Sequence, residues 1–152
     1  MAEAVEHITT NRKAERDYAL QDRLEAGVVL TGTEIKSIRQ RHVRLEESFA
    51  RVVRGEVFLY NCHITPYEQG NRFNVDPTRT RKLLLHRREI ERLIGVMSRK
   101  GMALVPTKLY VKRGIAKLEV AIAQGKRQYE KRERIRQREV ARELQRAVRQ
   151  KR

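Results

Sequence analysis

Apolar side chains recur at every second position in several short segments between residues 18 and 125. This alternation is typical of β-strands that bury one face and expose the other. In residues 57–64, the side chains expected to share one face are Phe58, Tyr60, Cys62 and Ile64. In residues 117–122, the expected buried face consists of Leu118, Val120 and Ile122. The alternation therefore predicts a body built mainly of strands.

Glycines divide these strand-like segments, and two of them follow an arginine. Arg54-Gly55 and Arg113-Gly114 each lie between two apolar segments. Glycine adopts the left-handed backbone conformations that tight turns require. We therefore expect a turn at each pair.

Two helices are predicted between the strands. Residues 90–97 carry apolar side chains at the spacing of a single helical stripe, and Gly101 is a suitable stop after them. A shorter helix is expected to begin near Thr31, because Thr31 and Glu34 have the spacing of a capping box. Ile35 and Ile38 would form its buried side. Many short strands with two helices favour a small barrel or a sandwich.

The pattern changes after Gly125. Residues 126–152 contain no Gly or Pro, and they hold twelve Lys or Arg against four Glu, a net charge of +8. Their residue types favour a helix, but the apolar stripe of Val140, Leu144, Ala147 and Val148 is narrow. We expect a tail that is helical or disordered when free and becomes ordered on a polyanion. The predicted organisation is a flexible arm over residues 1–10, a body over 11–125 and this tail.

The whole chain is strongly basic, with a net charge of +16 in 152 residues. Such a charge attracts polyanions, and nucleic acid is the first candidate. An anionic membrane surface is the weaker candidate, because the chain lacks Trp and has no long apolar run. Cys62 is the only cysteine, and the first residues include Glu3 and Glu6 without an apolar segment. Both features predict a cytosolic protein.

Three segments are candidates for contact with RNA. Arginines in the tail can bind phosphates in a bidentate manner and stack on bases; the alternative is a charged extension without a specific role. Residues 71–82 form a predicted loop in which Arg72, Arg79, Arg81 and Lys82 accompany Phe73, although this could be an ordinary surface loop. Asn11, Arg12 and Lys13 form a weaker cluster that by itself indicates the exposed start of a strand.

The sequence gives little support for catalysis. The four histidines lie 35, 21 and 23 residues apart, so none has the close spacing of metal ligands. Neither a phosphate-binding loop nor a nucleophile elbow is present. Glu25, Glu34, Glu46 and Glu47 are expected to form surface salt bridges. The sequence predicts no enzyme activity, metal or cofactor.

Four motifs together resemble the SmpB family of tmRNA-binding proteins, also called SsrA-binding proteins. They are NRKAERDY at residues 11–18, EAGVVLTGTEIKSIR at 25–39, DPTRTRKLLL at 76–85 and GKRQYEKR at 125–132. The resemblance runs from about residue 9 to 132, and beyond that the tail matches in charge and helical character. It implies an OB-type Greek-key barrel with two or three embedded helices and a basic C-terminal tail.

The resemblance also implies particular contact residues. Asn11, Glu25 and Leu84 match positions of tmRNA contact on the barrel, although Glu25 could form a salt bridge and Leu84 could belong to the core. The other barrel residues expected to bind RNA are Arg12, Lys13, Arg79, Arg81 and Lys82. The tail residues expected to bind the ribosome are Lys126, Arg127, Tyr129, Glu130, Lys131 and Arg132. Glu130 stands where the family often has Asp.

The implied function is that of an adaptor, which binds the tRNA-like part of tmRNA and brings it to stalled ribosomes. The implied partners are tmRNA, the small-subunit rRNA around the decoding site and mRNA channel, and elongation factor Tu. No membrane partner is expected, and the protein should be a monomer. One alternative is a basic ribosomal or ribosome-assembly protein that binds rRNA. Another is an RNA-modifying enzyme or nuclease, which would need a cluster of carboxylates or a metal site.

Overall fold

The computed structural model describes residues 5–125 and 137–148, with only the backbone described at 71–73. Nine strands and four helices make up this part of the chain. The strands are β1 (Val5–Thr10), β2 (Tyr18–Val28), β3 (Val43–Arg44), β4 (Phe49–Val53), β5 (Glu56–Tyr60), β6 (His63–Ile64), β7 (Arg81–Leu84), β8 (Met102–Lys112) and β9 (Ile115–Gly125). The helices are α1 (Arg12–Asp17), α2 (Gly32–Arg39), α3 (Arg87–Met97) and α4 (residues 137–148). A 3-10 turn spans Glu68–Phe73.

Seven strands form one antiparallel sheet in the order β1-β8-β4-β5-β7-β2-β9. Because β9 also pairs with β8, the sheet closes into a barrel. The long strand β8 pairs with β4 near Leu104 and with β1 from Lys108 to Lys112. Closure removes most free strand edges, which is how small all-β proteins avoid edge-to-edge association. The predicted mainly β, OB-type barrel with embedded helices is confirmed.

The barrel interior is filled by alternate side chains of the strands. Leu118, Val120 and Ile122 of β9 are fully buried, as the alternation predicts. Burial of each such side chain contributes about 1.5–3 kcal/mol relative to exposure. Leu93 of α3 is also fully buried, whereas Ile94 of the predicted stripe is exposed. The two predicted Arg-Gly turns are present, and all four residues have positive φ angles.

Residues 57–64 differ from the prediction of a single strand with one buried face. β5 ends at Tyr60, and Asn61 has a φ of 58°, which breaks the alternation. The core side chains are consequently Val57 and Leu59 before the break, followed by Cys62 and Ile64 after it. The turn at Asn61 shifts the alternation by one residue. A shift of one residue exchanges the buried and exposed faces of a strand, because successive side chains point to opposite faces. Phe58 and Tyr60 remain half-buried.

The N-terminal segment also differs from its prediction. Residues 5–10, expected to be part of a flexible arm, form β1 and pair with β8. Ile8 is buried in the main core. The sequence shows little pattern here, and the strand depends on an edge of β8 that only the folded barrel supplies.

Truncation after Gly125 tests whether the tail belongs to the body. The described core lies within residues 5–125, and all side chains described in α4 are exposed. We expect the truncated protein to unfold cooperatively with a Tm close to that of the full chain. Thermal melts followed by circular dichroism measure this. Loss of the cooperative transition on truncation would show that the tail is part of the core.

Candidate nucleic-acid interface

Asn11 is the cap of α1 and lies in the interior. Its side chain is 1% exposed and donates hydrogen bonds to the carbonyls of Leu45 at 3.2 Å and Pro106 at 2.9 Å. Its Oδ1 accepts a hydrogen bond from the backbone N–H of Ala14 at 3.1 Å. The amide is engaged inside the protein, and the contact of Asn11 with RNA stays a prediction. Asn11 fixes the start of α1.

Composition alone had indicated that the basic residues after Asn11 are the exposed start of a strand. In the structure they lie on α1. Arg12 is exposed, and Lys13 forms an ion pair with Glu47 at 2.7 Å. A hydrogen bond and the charge of Glu47 raise the pKa of Lys13. Ala14 packs on Val105 and Ala123 and anchors the helix. The ion pair must open before Lys13 can bind a phosphate.

A buried ion cluster joins α2 to β7. Glu34 is 4% exposed, and its two carboxylate oxygens accept hydrogen bonds from Arg79 and Arg81, each at 2.6 Å. The backbone N–H of Thr31 donates to the same carboxylate at 2.9 Å, as the predicted capping box requires. Burial alone would raise the pKa of Glu34, but the hydrogen bonds from Arg79, Thr31 and Arg81 lower it below its ordinary value. The carboxylate is therefore ionised at neutral pH.

This cluster corrects two predictions. Arg81, expected in an exposed loop, is the fully buried first residue of β7, and it also donates to the carbonyls of Cys62 at 2.6 Å and Pro77 at 3.0 Å. Glu34, expected on the surface, is its interior partner. Both errors have the same cause. A charged side chain can be buried when an opposite charge and hydrogen bonds offset the free energy lost on leaving water. Arg79 is only partly exposed, and Glu34 holds its guanidinium.

Three predicted contact residues share the outer face of the barrel. Leu84 of β7 is 53% exposed, so it does not belong to the core. It is paired with Gly27 of β2, two residues from Glu25, which is exposed on the same face. Lys82, two residues before Leu84, is exposed and forms an ion pair with Glu56 at 3.2 Å. The structure thus brings Glu25, Lys82 and Leu84 together.

The comparisons with known proteins identify the family of this chain. The model of the SmpB protein family matches residues 8–150. The chain belongs to the SmpB family. It is 59% identical over 142 residues to the SsrA-binding protein of Geobacillus kaustophilus, covering 93% of this chain and 92% of that one. It is 54% identical over 148 residues to the SsrA-binding protein of Desulfitobacterium hafniense, covering 97% and 95%.

A solved structure of an SmpB complex has the same fold. It is described as "tmRNA-SmpB: a journey to the center of the bacterial ribosome", and the matching chain has a TM-score of 0.66 and 48% identity. The match covers 77% of this chain and 82% of that chain. At this level of identity the two chains share family and fold.

The tail residues that the SmpB resemblance singles out lie outside the described residues; they are Lys126, Arg127, Tyr129, Glu130, Lys131 and Arg132. Further along, α4 places Arg138, Arg142 and Arg146 on one side, since they are four residues apart. Val140 and Leu144 lie on the other side and are exposed. The apolar stripe does not dock on the core, in agreement with its narrow width.

Two further residues, Tyr110 and Lys117, lie on the outer face, and sequence reasoning did not count them among the RNA contacts. The phenolic hydroxyl of Tyr110 donates a hydrogen bond to the carboxylate of Glu25, across 85 positions of sequence. Burial, followed by the hydrogen bond to Glu25, raises the pKa of Tyr110, so the phenol stays protonated. The alternation of Tyr110 with buried Leu109 and Val111 indicated an outward side chain. Its partner could not be read from the sequence.

Three further features of the described residues concern metal binding, membrane spans and the reactivity of the Cys62 thiol. Within residues 5–125 and 137–148, no group of three or more His, Cys, Asp or Glu could hold a metal ion. Across the same part of the chain, no helix is long and apolar enough to cross a membrane. Burial raises the pKa of the Cys62 thiol to about 11, which keeps it neutral and unreactive at physiological pH.

Replacing Glu34 with Ala tests the buried cluster. The substitution leaves the buried charge of Arg81 without its partner, and we expect a loss of about 3–5 kcal/mol in the free energy of unfolding. The stability contributed by Glu34 is complete above its ordinary pKa of 4.5 and is lost as pH falls through the lower pKa of the folded state. The wild-type protein should therefore lose more stability than Glu34→Ala on acidification below about pH 4.5. Urea unfolding at several pH values measures both effects.

Glu47→Ala provides the matched control, because it also breaks an ion pair but at the exposed partner Lys13. Its urea midpoint should stay near that of the wild type, since exposed ion pairs contribute little. Equal losses in the two variants would contradict a special role for the buried cluster.

Proposed function

We propose that this chain is an RNA-binding adaptor of ribosome rescue, which binds the tRNA-like domain of tmRNA and delivers it to stalled ribosomes in trans-translation. The observation that carries the proposal is the 48% identity and shared fold with a chain of the tmRNA-SmpB complex. The outer face with Glu25, Lys82 and Leu84 gives the proposal a physical site. An adaptor of this kind acts through binding and shape and needs no catalytic group.

The barrel is suited to hold RNA in a fixed orientation. Its strands form a closed ring with a packed interior, so an RNA bound on the outer face would move with the barrel as one body. Lys82 supplies positive charge for phosphates, and Leu84 supplies apolar surface for a ribose or base. In this proposal the barrel takes the place of an anticodon arm beneath the tRNA-like domain.

The tail supplies the second activity in the proposal. Its net charge of +8 over residues 126–152 matches a channel walled by rRNA phosphates. An empty mRNA channel downstream of the decoding site would admit the tail, whereas an intact message would compete for the same space. Ordering a segment costs about 1–2 kcal/mol per residue in backbone entropy, which the charged contacts must offset. The tail would thereby report that the message has ended.

The remaining partners follow from this role. Elongation factor Tu would accompany the complex during delivery, and the protein would act as a monomer in the cytoplasm, where ribosomes translate. Lys126, Arg127, Tyr129 and Glu130 would join the tail contacts on the ribosome. Arg12 and Lys13 of α1 would add phosphate contacts on the barrel once the pair with Glu47 opens.

Salt dependence of RNA binding tests the barrel. We expect the affinity for the tRNA-like domain of tmRNA to fall steeply with salt, because each phosphate contact releases counterions. Lys82→Gln should lower the slope of log K against log salt concentration by about one. Fluorescence anisotropy at several salt concentrations measures the slope. An rRNA fragment bound more tightly than the tRNA-like domain would favour a ribosomal or assembly protein instead.

The double substitution of Lys131 and Arg132 with Ala separates binding from rescue. It removes two charges from a net +16, so affinity for tmRNA should stay within about twofold. Peptide tagging on stalled ribosomes should be lost, because the tail can no longer hold its ordered form in the channel. A parallel loss of affinity and tagging, or tagging that survives, would contradict the proposed division of work.

A further inference from the structure

Strand pairing aligns four residues across the outer face of the barrel. Leu84 of β7 is the partner of Gly27 of β2, Gly27 is the partner of Lys117 of β9, and Lys117 is the partner of Tyr110 of β8. Directly opposed residues of antiparallel strands point to the same face. We call these four residues, Leu84, Gly27, Lys117 and Tyr110, the outer row. Adjacent strands are about 4.8 Å apart, so the row is roughly 14 Å long.

The outer row has the chemical composition of an RNA surface. Leu84 is an exposed apolar side chain beside a glycine, and a Cβ at Gly27 would lie 3.4 Å from the Cβ of Leu84. Gly27 itself is buried, because the side chain of Leu84 covers it. Lys117 follows at the next strand and makes no ion pair within the described part of the chain. Its ammonium group can neutralise a phosphate.

The carboxylates beside the row break a rule of sheet stability. Glu25 of β2 is directly opposite Glu119 of β9, and like charges in that position destabilise a sheet. Glu119 is compensated by Arg23 at 3.3 Å and by the hydroxyl of Thr107 at 2.5 Å. Glu25 accepts a hydrogen bond from the hydroxyl of Tyr110, which is an uncharged donor. Local conflicts of this kind are expected where a residue serves function and not folding.

A carboxylate near phosphates is repelled by them, but it recognises a base. Cytosine, adenine and guanine carry N–H donors on their Watson–Crick edges, and unpaired bases in RNA loops expose these edges. A carboxylate held in one position loses less freedom on accepting such hydrogen bonds than one that rotates freely. The hydroxyl of Tyr110 provides that restraint and leaves lone pairs of Glu25 available.

We infer that Lys117 is an RNA phosphate contact and that Tyr110 is a positioning residue, which fixes the Glu25 carboxylate to accept hydrogen bonds from an unpaired base. The inference rests on the proposed function and extends its barrel site from β7 across β2 and β9 to β8. Neighbouring phosphate sites at Lys82 and Lys117 favour RNA over a basic peptide as the ligand of Glu25, since both lysines would repel the peptide.

A double-mutant cycle on Glu25 and Tyr110 tests the positioning role. Tyr110→Phe keeps the ring and removes the hydroxyl, and it should weaken binding of the tRNA-like domain roughly three- to tenfold, the range of one hydrogen bond. Glu25→Ala should weaken binding at least as much. In the Glu25→Ala background, Tyr110→Phe should have little further effect, because a positioning residue acts through its partner. Equal effects of Tyr110→Phe in both backgrounds would overturn this role.

Lys117→Gln tests the phosphate contact, with Arg44→Gln as the matched control. Both variants lose one positive charge, but Arg44 lies in the separate two-stranded sheet of β3 and β6. Lys117→Gln should lower the salt slope by about one, Lys117→Arg should restore it, and Arg44→Gln should leave it near the wild-type value. Equal slopes for Lys117→Gln and Arg44→Gln would overturn the contact.

Two further measurements keep the outcomes separable. Thermal melts must show each variant folded like the wild type, which positions outside the core allow. Wild-type protein must bind the tRNA-like domain more tightly than an unrelated hairpin of equal length. Failure of the wild type to do so would overturn the proposed function and this inference with it. Tight wild-type binding with unchanged Tyr110→Phe and Lys117→Gln variants would overturn the inference alone.

Discussion

The interaction between Glu34 and Arg81 is the constraint on which the proposed RNA-binding face of the barrel depends. Arg81 is the first residue of β7, and its guanidinium joins that strand to α2 through Glu34 and to the connecting segments through the carbonyls of Cys62 and Pro77. β7 is only four residues long and lies between β5 and β2. A buried ion pair adds little net free energy, but an arrangement that separates its charges is strongly disfavoured. The pair thereby fixes where Lys82 and Leu84 emerge on the outside.

A buried polar residue, Asn11, has a similar role at the start of α1. Asn11 binds carbonyls of the segment before β4 and of β8, while its Oδ1 caps α1. The helix packs through Ala14 on β8 and β9, strands that also carry Tyr110 and Lys117. Five of the barrel residues expected to bind RNA thus fall into two groups. Asn11 and Arg81 hold the scaffold, whereas Glu25, Lys82 and Leu84 form the surface.

The body and the tail differ in what stabilises them. The barrel buries a continuous apolar core, whereas α4 exposes Val140, Leu144 and Val148. Their apolar side chains therefore contribute nothing to the barrel core. A helix with arginines on one side is suited to bind a polyanion that wraps or encloses it. In the proposed function, this separation leaves the barrel to bind one RNA and the tail to bind a second site.

Features set by neighbours in sequence were determined by the sequence itself. The capping box at Thr31, the Arg-Gly turns and the alternation of β9 depend on backbone preferences and side-chain spacing over a few residues, and the charge of the tail depends only on composition. The family motifs predicted the fold correctly. Only the tertiary structure decided that Arg81 and Asn11 are buried, because their partners lie 47 and 95 positions away. It also decided the pairing of β1 and the alignment of Leu84, Gly27, Lys117 and Tyr110, since strand register brings together residues that no local pattern connects.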